Sequence, residues 1–344
     1  MRAARIQPVA CLLVLAAARS GAGEADLVRL SRTRRPMGTY MAVTVYAPGR
    51  EAGLRAIEAA FQRVEEVEAA TSTWREDSDV SKLNRAAGSP PMAVSEHLWV
   101  PLRRAVEIAE ETRGAFDPTV GPVVALWRRS WRTGKRPGDE EIAAARALVD
   151  YRSVECAPDA PRVRLAKAGQ RLELSGIGKG YAVAQAIEAL QAHGIRAALV
   201  DAGGDIYGVG APPGREGWLI GVRDPSRRGK ILPRPILLRD RAVATSGDYE
   251  QFGMVDGRRY SHILDPRTGR PVEDMTSVTV VAADPMTADA YATAASVMGV
   301  EQALAFAEKR EEVEMLIMYR RDGELATARS SGFERLQVDQ AGSR

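Results

Sequence analysis

The sequence predicts an α+β fold, with mixed or antiparallel sheets packed on helices and a helical N-terminal half. Three observations predict it. Long segments with apolar residues at helical spacing come first, between residues 52 and 149. Short β-branched and apolar runs crowd the chain beyond residue 195. The regular strand–helix alternation of a parallel sheet is missing, which favours α+β over a βαβ array. At 344 residues, 45% hydrophobic and 27% charged, the chain can bury a sizeable core. Those figures exclude a collagen, a coiled coil, a largely disordered chain and a multi-span membrane protein.

The first element is a leader. Arg2 and Arg5 precede a ten-residue apolar run, 9–18, and Ser20, Gly21, Ala22 and Gly23 follow. This is the layout of a secretory signal peptide over residues 1–22, too short for a membrane span. A buried N-terminal helix is the alternative. Cleavage is expected after Ala22, which makes the protein exported and periplasmic. Cys11 lies inside the apolar run, too early for an ordinary lipoprotein cysteine; this favours a soluble protein over a lipid-anchored, membrane-associated one. With Arg2, Arg5 and Arg19 set aside, the 48 basic residues fall to the number of acidic ones, 45. A neutral body with only 6% aromatics predicts no nucleic-acid partner. Without the leader only Cys156 remains, so no internal disulfide and no cysteine-rich zinc site can form. His97, His193 and His262 are the only histidines and are far apart. A metal here would be hard and oxygen-ligated.

The folded body is expected over 31–335. Residues 40–46 (YMAVTVY) read as a strand. Residues 52–70 read as a helix whose one face carries Leu54, Ile57, Ala60, Phe61, Val64 and Val67. A polar stretch, 71–83, follows. Ser95 is expected to cap a second helix ending near Gly114, and 118–131 and 139–149 are further helices. Residues 171–174 read as a strand entering the turn Ser175-Gly176-Ile177-Gly178. A helix over 179–193 is closed by Gly194. Strands are expected at 195–200, 206–209, 218–222, 236–238 and 242–244, with a turn at Gly203-Gly204. Residues 276–282 (TSVTVVA) form a buried strand, followed by helices at 286–298 and 301–308. A hairpin turning at Asp322-Gly323 closes the fold. Residues 212–217 and 223–235 read as surface loops, and 336–344 as a loose tail.

Six stretches hold candidate chemistry. Gly176-Ile177-Gly178-Lys179-Gly180 joins an expected strand to an expected helix, where a helix N-terminus favours a phosphate. Tyr181 breaks the dinucleotide fingerprint and Gly180 breaks a Walker loop, so alone the turn reads as a tight strand–helix connection. Asp289 and Thr293, four apart, place a carboxylate and a hydroxyl on one helix face. That pair suits Mg²⁺ or Ca²⁺, or simply a helix-start carboxylate and a back-bonded threonine. Residues 245–249 and 261–269 concentrate polar groups around His262, a candidate base, although Asp265-Pro266-Arg267-Thr268-Gly269 is also a good turn sequence. No serine-hydrolase signature accompanies them. Asp117 is a candidate polar contact or a helix cap before Pro118. Trp74, in Ser72-Thr73-Trp74-Arg75, covers a planar ring or anchors its loop.

In order and content these stretches resemble one family, the FAD:protein FMN transferases or ApbE-like flavin transferases. The resemblance runs from about Arg35 to Gly299. It adds Met37-Gly38-Thr39, Ser81-Lys82-Leu83-Asn84 and Gly203-Gly204-Asp205 to the segments above. It implies a single catalytic unit that cleaves the FAD pyrophosphate with Mg²⁺ and joins FMN through a phosphoester to a threonine of a target protein, releasing AMP. FAD is then a substrate. The partner is a flavin-acceptor protein, either a subunit of a membrane redox complex or an exported flavoprotein. The implied metal ligands are Asp289, Thr293 and the carbonyl of Gly176. The implied flavin contacts are Met37, Trp74, Ala115, Phe116, Asp117, Lys179 and Ile263. The implied catalytic residues are His262, as base for the threonine, and Asp265 of the same segment. The chain departs from the family pattern at Ala184, where an acid is expected, and at Glu173, where aspartate is common. Two other readings use the same residues: an FAD pyrophosphatase with water as acceptor, and an exported FAD carrier without turnover.

Overall fold

The computed structural model describes residues 27–227, 229–247, 252–273 and 275–339. The expected leader lies outside them. In chain order the principal strands are β1 (Val28–Arg34), β2 (Met41–Ala47), β3 (Ala197–Ala202), β4 (Asp205–Val209), β5 (Arg241–Gly247), β6 (Phe252–Val255), β7 (Arg258–Ser261), β8 (Met275–Ala282), β9 (Glu314–Arg321) and β10 (Glu324–Arg329). The helices are α1 (Arg50–Thr71), α2 (Asp79–Arg85), α3 (Glu96–Glu111), α4 (Gly121–Thr133), α5 (Asp139–Ala147), α6 (Gly178–Ala192), α7 (Pro285–Met298) and α8 (Val300–Ala307). The α+β expectation holds, and every ladder between named strands is antiparallel.

One eight-stranded sheet, ordered β1-β2-β3-β4-β5-β8-β9-β10, organises the molecule. Its side chains alternate between two cores, as the two-residue period of a strand requires. In β3, Ala198, Val200 and Ala202 face α1 and α6, where they meet Ile57, Phe61, Val64 and Ile187. Ala197 and Leu199 face the other side, with Trp218, Ile236 and Phe333. Strand β8 sends Val278 and Val280 to one face and Val281 to the other, which explains its unbroken burial from Ser277 to Ala282. Helix α1 buries Ile57, Ala60, Phe61, Val64 and Val67, the stripe that its spacing predicts. Each of the larger side chains contributes about 1.5–3 kcal/mol on burial. Among the described residues no helix is long and apolar enough to cross a membrane.

Helix α7 is buried on all sides, from Thr287 to Val297 apart from Thr293. Asp284 caps it by accepting the Thr287 N–H at 2.9 Å, and Pro285 occupies its first turn. Its alanines leave room for other backbones. Helix α6 ends as expected, with Gly194 in the left-handed region at φ 77°.

Several expectations are corrected. Residues 171–174 are extended but form no strand: the Asn84 side chain takes both the N–H and the C=O of Leu172, at 2.7 and 3.1 Å, and Pro118 accepts from Glu173. Only a single parallel bridge joins Arg171 to Val120. Ser95 stands at the start of α3 but its side chain makes no cap; its N–H donates instead to Asp79. Helix α4 starts at Gly121 rather than 118, because Asp117 folds 117–120 into a turn of its own. In the tail expected to be loose, Gln337 bridges to Ile236 and the Val338 N–H donates to Pro235. Strand β1 and helix α2, in segments read as featureless or polar, also belong to the fold.

Candidate active site

The turn before α6 is where the candidate segments meet. A Cβ on Gly176 would stand 3.1 Å from both Phe116 Cε2 and Thr293 Oγ1, so the Gly176 backbone lies directly against the hydroxyl of α7. A Cβ on Gly178 would stand 3.6 Å from the Met37 methyl. The N–H of Gly180 donates to Asp289 Oδ2 at 3.0 Å. A Cβ there would reach 2.2 Å from the Pro285 carbonyl oxygen, a contact only glycine avoids. Ser246, on β5, has its hydroxyl 3.5 Å from that of Thr293. The structure thus brings together Met37, Phe116, Gly176, Lys179, Asp289 and Thr293.

Lys179 lies between two carboxylates. Its ammonium hydrogen-bonds Asp205 and stands 3.6 Å from Asp289 Oδ1. Asp205 and Asp289 are each only 2% exposed. Burial, followed by the charge of Asp289, pushes the Asp205 carboxyl upward, while Lys179 pulls it back. Burial alone would lower the Lys179 ammonium, but the two carboxylates together hold it above its ordinary value. Asp201, which accepts the Gly204 N–H at 2.9 Å, is also pushed up by burial. Two buried carboxylates thus face one lysine ammonium. Asp289, Thr293 and the Gly176 carbonyl are hard oxygen donors of the kind that could hold a divalent cation. Among the described residues no group of three or more His, Cys, Asp or Glu is placed to hold a metal without such neutral donors.

Trp74 is 79% exposed and carries the Arg128 guanidinium 4.7 Å over its ring. Arg128 pairs with buried Glu173 at 3.0 Å, and Glu173 accepts the Ser175 N–H at 3.3 Å, one residue before Gly176. Trp74 is thereby linked to the turn. Met37 adopts the left-handed region, φ 54° and ψ 27°, in the short helical turn Pro36–Gly38. That turn abuts the β3–β4 hairpin: a Cβ on Gly203 would stand 2.4 Å from Thr39 Oγ1.

The remaining candidates differ. Ala115 is buried beside Phe116 in the core that also holds Leu174 and Ile177. Asp117 is buried, and its oxygens accept the Thr119 N–H and hydroxyl, at 2.8 and 2.6 Å, and the Tyr151 N–H at 3.1 Å. Burial raises its carboxyl above the usual range. Its hydrogen bonds serve the turn that aims Phe116. Half-buried His262 follows β7, and Ile263 beside it is buried in the same core. Asp265 lies two residues beyond Ile263 and is half-buried. Both of its oxygens are held by the Arg267 guanidinium, at 2.9 and 3.0 Å, and its carbonyl accepts from Gly269. Trp127 of α4 donates to the Gly269 carbonyl, fixing this turn on α4 and α5. Sequence reasoning missed Arg128 and Asp201, and named Ser246 only within the polar stretch 245–249. It quoted Asp205 only as part of a turn.

The ApbE family model matches residues 37–317. The chain belongs to the ApbE family. It is 35% identical over 330 residues to the FAD:protein FMN transferase of Treponema pallidum, covering 92% of this chain and 91% of that one. It is 36% identical over 302 residues to the FAD:protein FMN transferase of Vibrio cholerae, with 85% and 88% covered. The solved ApbE protein of Thermotoga maritima superposes with a TM-score of 0.82 at 33% identity, covering 91% of this chain and 100% of that one. The flavin transferase ApbE of Vibrio cholerae gives 0.79 at 33%, with 90% and 99% covered. The fold described above is the ApbE fold, and this ApbE-family member is a transferase. All the site residues discussed lie within the matched span.

Proposed function

We propose that this protein transfers FMN from FAD to a threonine hydroxyl of an exported target protein, using Mg²⁺ and releasing AMP. One observation carries the reading: the Gly176–Gly180 turn lies against Thr293 and Asp289 of α7, with Lys179 between two buried carboxylates. Asp289, Thr293 and the Gly176 carbonyl would hold the cation. Bound there, Mg²⁺ supplies charge neutralisation at the pyrophosphate oxygens.

The chain's own residues supply the rest. The exposed Trp74 ring, braced by Arg128, and the Met37 methyl offer apolar contact to the flavin. His262 takes the proton from the acceptor threonine. The threonine oxygen then bonds to the FMN phosphorus, the pyrophosphate P–O bond breaks, and AMP leaves with the electron pair. Export through residues 1–22 would bring enzyme and acceptor into one compartment.

The test follows AMP release from FAD and Mg²⁺, with and without a threonine-bearing flavin acceptor. AMP released only with acceptor, together with an acceptor mass gain of FMN less water, is expected. Equal release without acceptor would make the protein an FAD pyrophosphatase. FAD binding without any release would make it a carrier.

A further inference from the structure

The contact between Lys179 and Asp205 is unequal to that between Lys179 and Asp289. The ammonium hydrogen-bonds Asp205 directly but stands 3.6 Å from Asp289 Oδ1, outside hydrogen-bond reach. The other Asp289 oxygen is engaged by the Gly180 N–H. Oδ1 is therefore the lone-pair site of Asp289 that a cation would use, and Lys179 is the cation standing nearest to it. Asp205 itself is firmly placed. It opens β4 after two left-handed glycines, Gly203 at φ 66° and Gly204 at φ 100°, and the first of these is seated on Thr39. A lysine on a four-carbon stem swings easily, whereas this aspartate does not.

We propose that Asp205 is a positioning residue that holds the Lys179 ammonium off Asp289, and that Lys179 is the built-in competitor of the metal. The inference rests on the reading that Asp289 takes the cation. Removing the charge of Asp205 frees Lys179 to close on Asp289 Oδ1, and a metal must then displace an ammonium from a buried carboxylate. Removing the charge of Lys179 leaves two buried carboxylates with no counter-ion between them, which strengthens the pull on a divalent cation. The two substitutions thus act with opposite signs, and together they cancel. A merely structural role would weaken binding in both.

The experiment titrates the full-length protein with Mn²⁺ alone, as a probe of the Mg²⁺ site, and reads free Mn²⁺ by electron paramagnetic resonance. Asp205→Asn is expected to weaken binding by about 10-fold or more, and Lys179→Met to tighten it by a similar factor. The double variant is expected to return to within about 3-fold of the parent. Circular dichroism checks that each variant folds, and Lys179→Met alone decides the sign if Asp205→Asn does not. Asp289→Asn separates the two levels of the argument. If it titrates like the parent, the metal-site reading fails and takes this inference with it. If it abolishes binding while Lys179→Met leaves the affinity unchanged or weaker, only the positioning role is overturned.

Discussion

Gly180 donates its N–H to the Asp289 carboxylate at 3.0 Å while its α-carbon lies so close to the start of α7 that an added Cβ would stand 2.2 Å from Pro285 O. The obstacle is backbone, which cannot rotate away. Gly180→Ala should therefore push α6 from α7 and loosen both the Asp289 bond and the core beneath it. Overpacking of this kind costs about 1–3 kcal/mol. Urea unfolding should show a lower midpoint with an unchanged slope. An unshifted midpoint would mean that the two helices separate freely.

Asp289→Asn isolates charge from shape. An asparagine carbonyl can still accept the Gly180 N–H, so the α6–α7 contact is retained. The hard anionic donor is lost. Divalent-cation-dependent turnover should fall by on the order of 100-fold or more, with an unfolding midpoint near that of the parent. Parent-like turnover at the same Mg²⁺ concentration would remove Asp289 from the ligand set.

His262 and Asp265 should separate cleanly. Asp265 is tied to Arg267, which in turn donates to Val297 O at 3.1 Å. Asp265→Asn should cost roughly 1 kcal/mol of stability, a modest amount because the pair is partly exposed, and leave transfer within about 3-fold. His262→Ala should slow transfer by about 100-fold or more while FAD still binds. Equal rate losses in the two variants, measured at saturating FAD, would place Asp265 in the chemistry beside His262.

What was legible in the sequence was local. The stripe of α1, the glycine stop of α6, and the Asp322-Gly323 hairpin, with φ 53° and 83°, are written within a few residues each. The Asp289/Thr293 pair was legible because four residues make one helical turn. What was not legible depends on pairs remote in sequence. Asn84 replaces a strand partner for Leu172 across 88 residues, so the alternating run Arg171-Leu172-Glu173-Leu174 looked like a strand. Lys179 finds Asp205 26 residues away, and Arg128 finds Glu173 with no periodicity to announce it. Strand β1 (VRLSRTR) buries only Leu30, so its charged outer edge hid it.

Met37 is held in the left-handed region at φ 54°, a conformation that costs a non-glycine residue of order 1–3 kcal/mol. Met37→Gly removes that strain, and the greater freedom of glycine in the unfolded chain offsets about 0.5–1 kcal/mol of the gain. The unfolding midpoint should hold or rise. Loss of the methyl over Gly178 should nevertheless weaken FAD binding by about 10-fold, read by quenching of flavin fluorescence. Weaker FAD binding with a lower midpoint would point to a packing role alone.

Cys156 provides a check on burial that is independent of the site. Burial pushes its thiol up to about 11, with Arg103 pulling slightly the other way. The thiolate is the reactive form, and at pH 8 only about one molecule in a thousand carries it, against roughly one in four for an ordinary cysteine. In the Cys11→Ser protein, where Cys156 is the one remaining thiol, reaction with a disulfide reagent should be slow at pH 7. It should then quicken by close to tenfold per pH unit up to pH 10. A plateau below pH 9 would place the thiol at its ordinary value. Because the neutral thiol is the form present at physiological pH, alkylation attempted there should leave FMN transfer intact, and a loss of transfer under those conditions would bring Cys156 into the site.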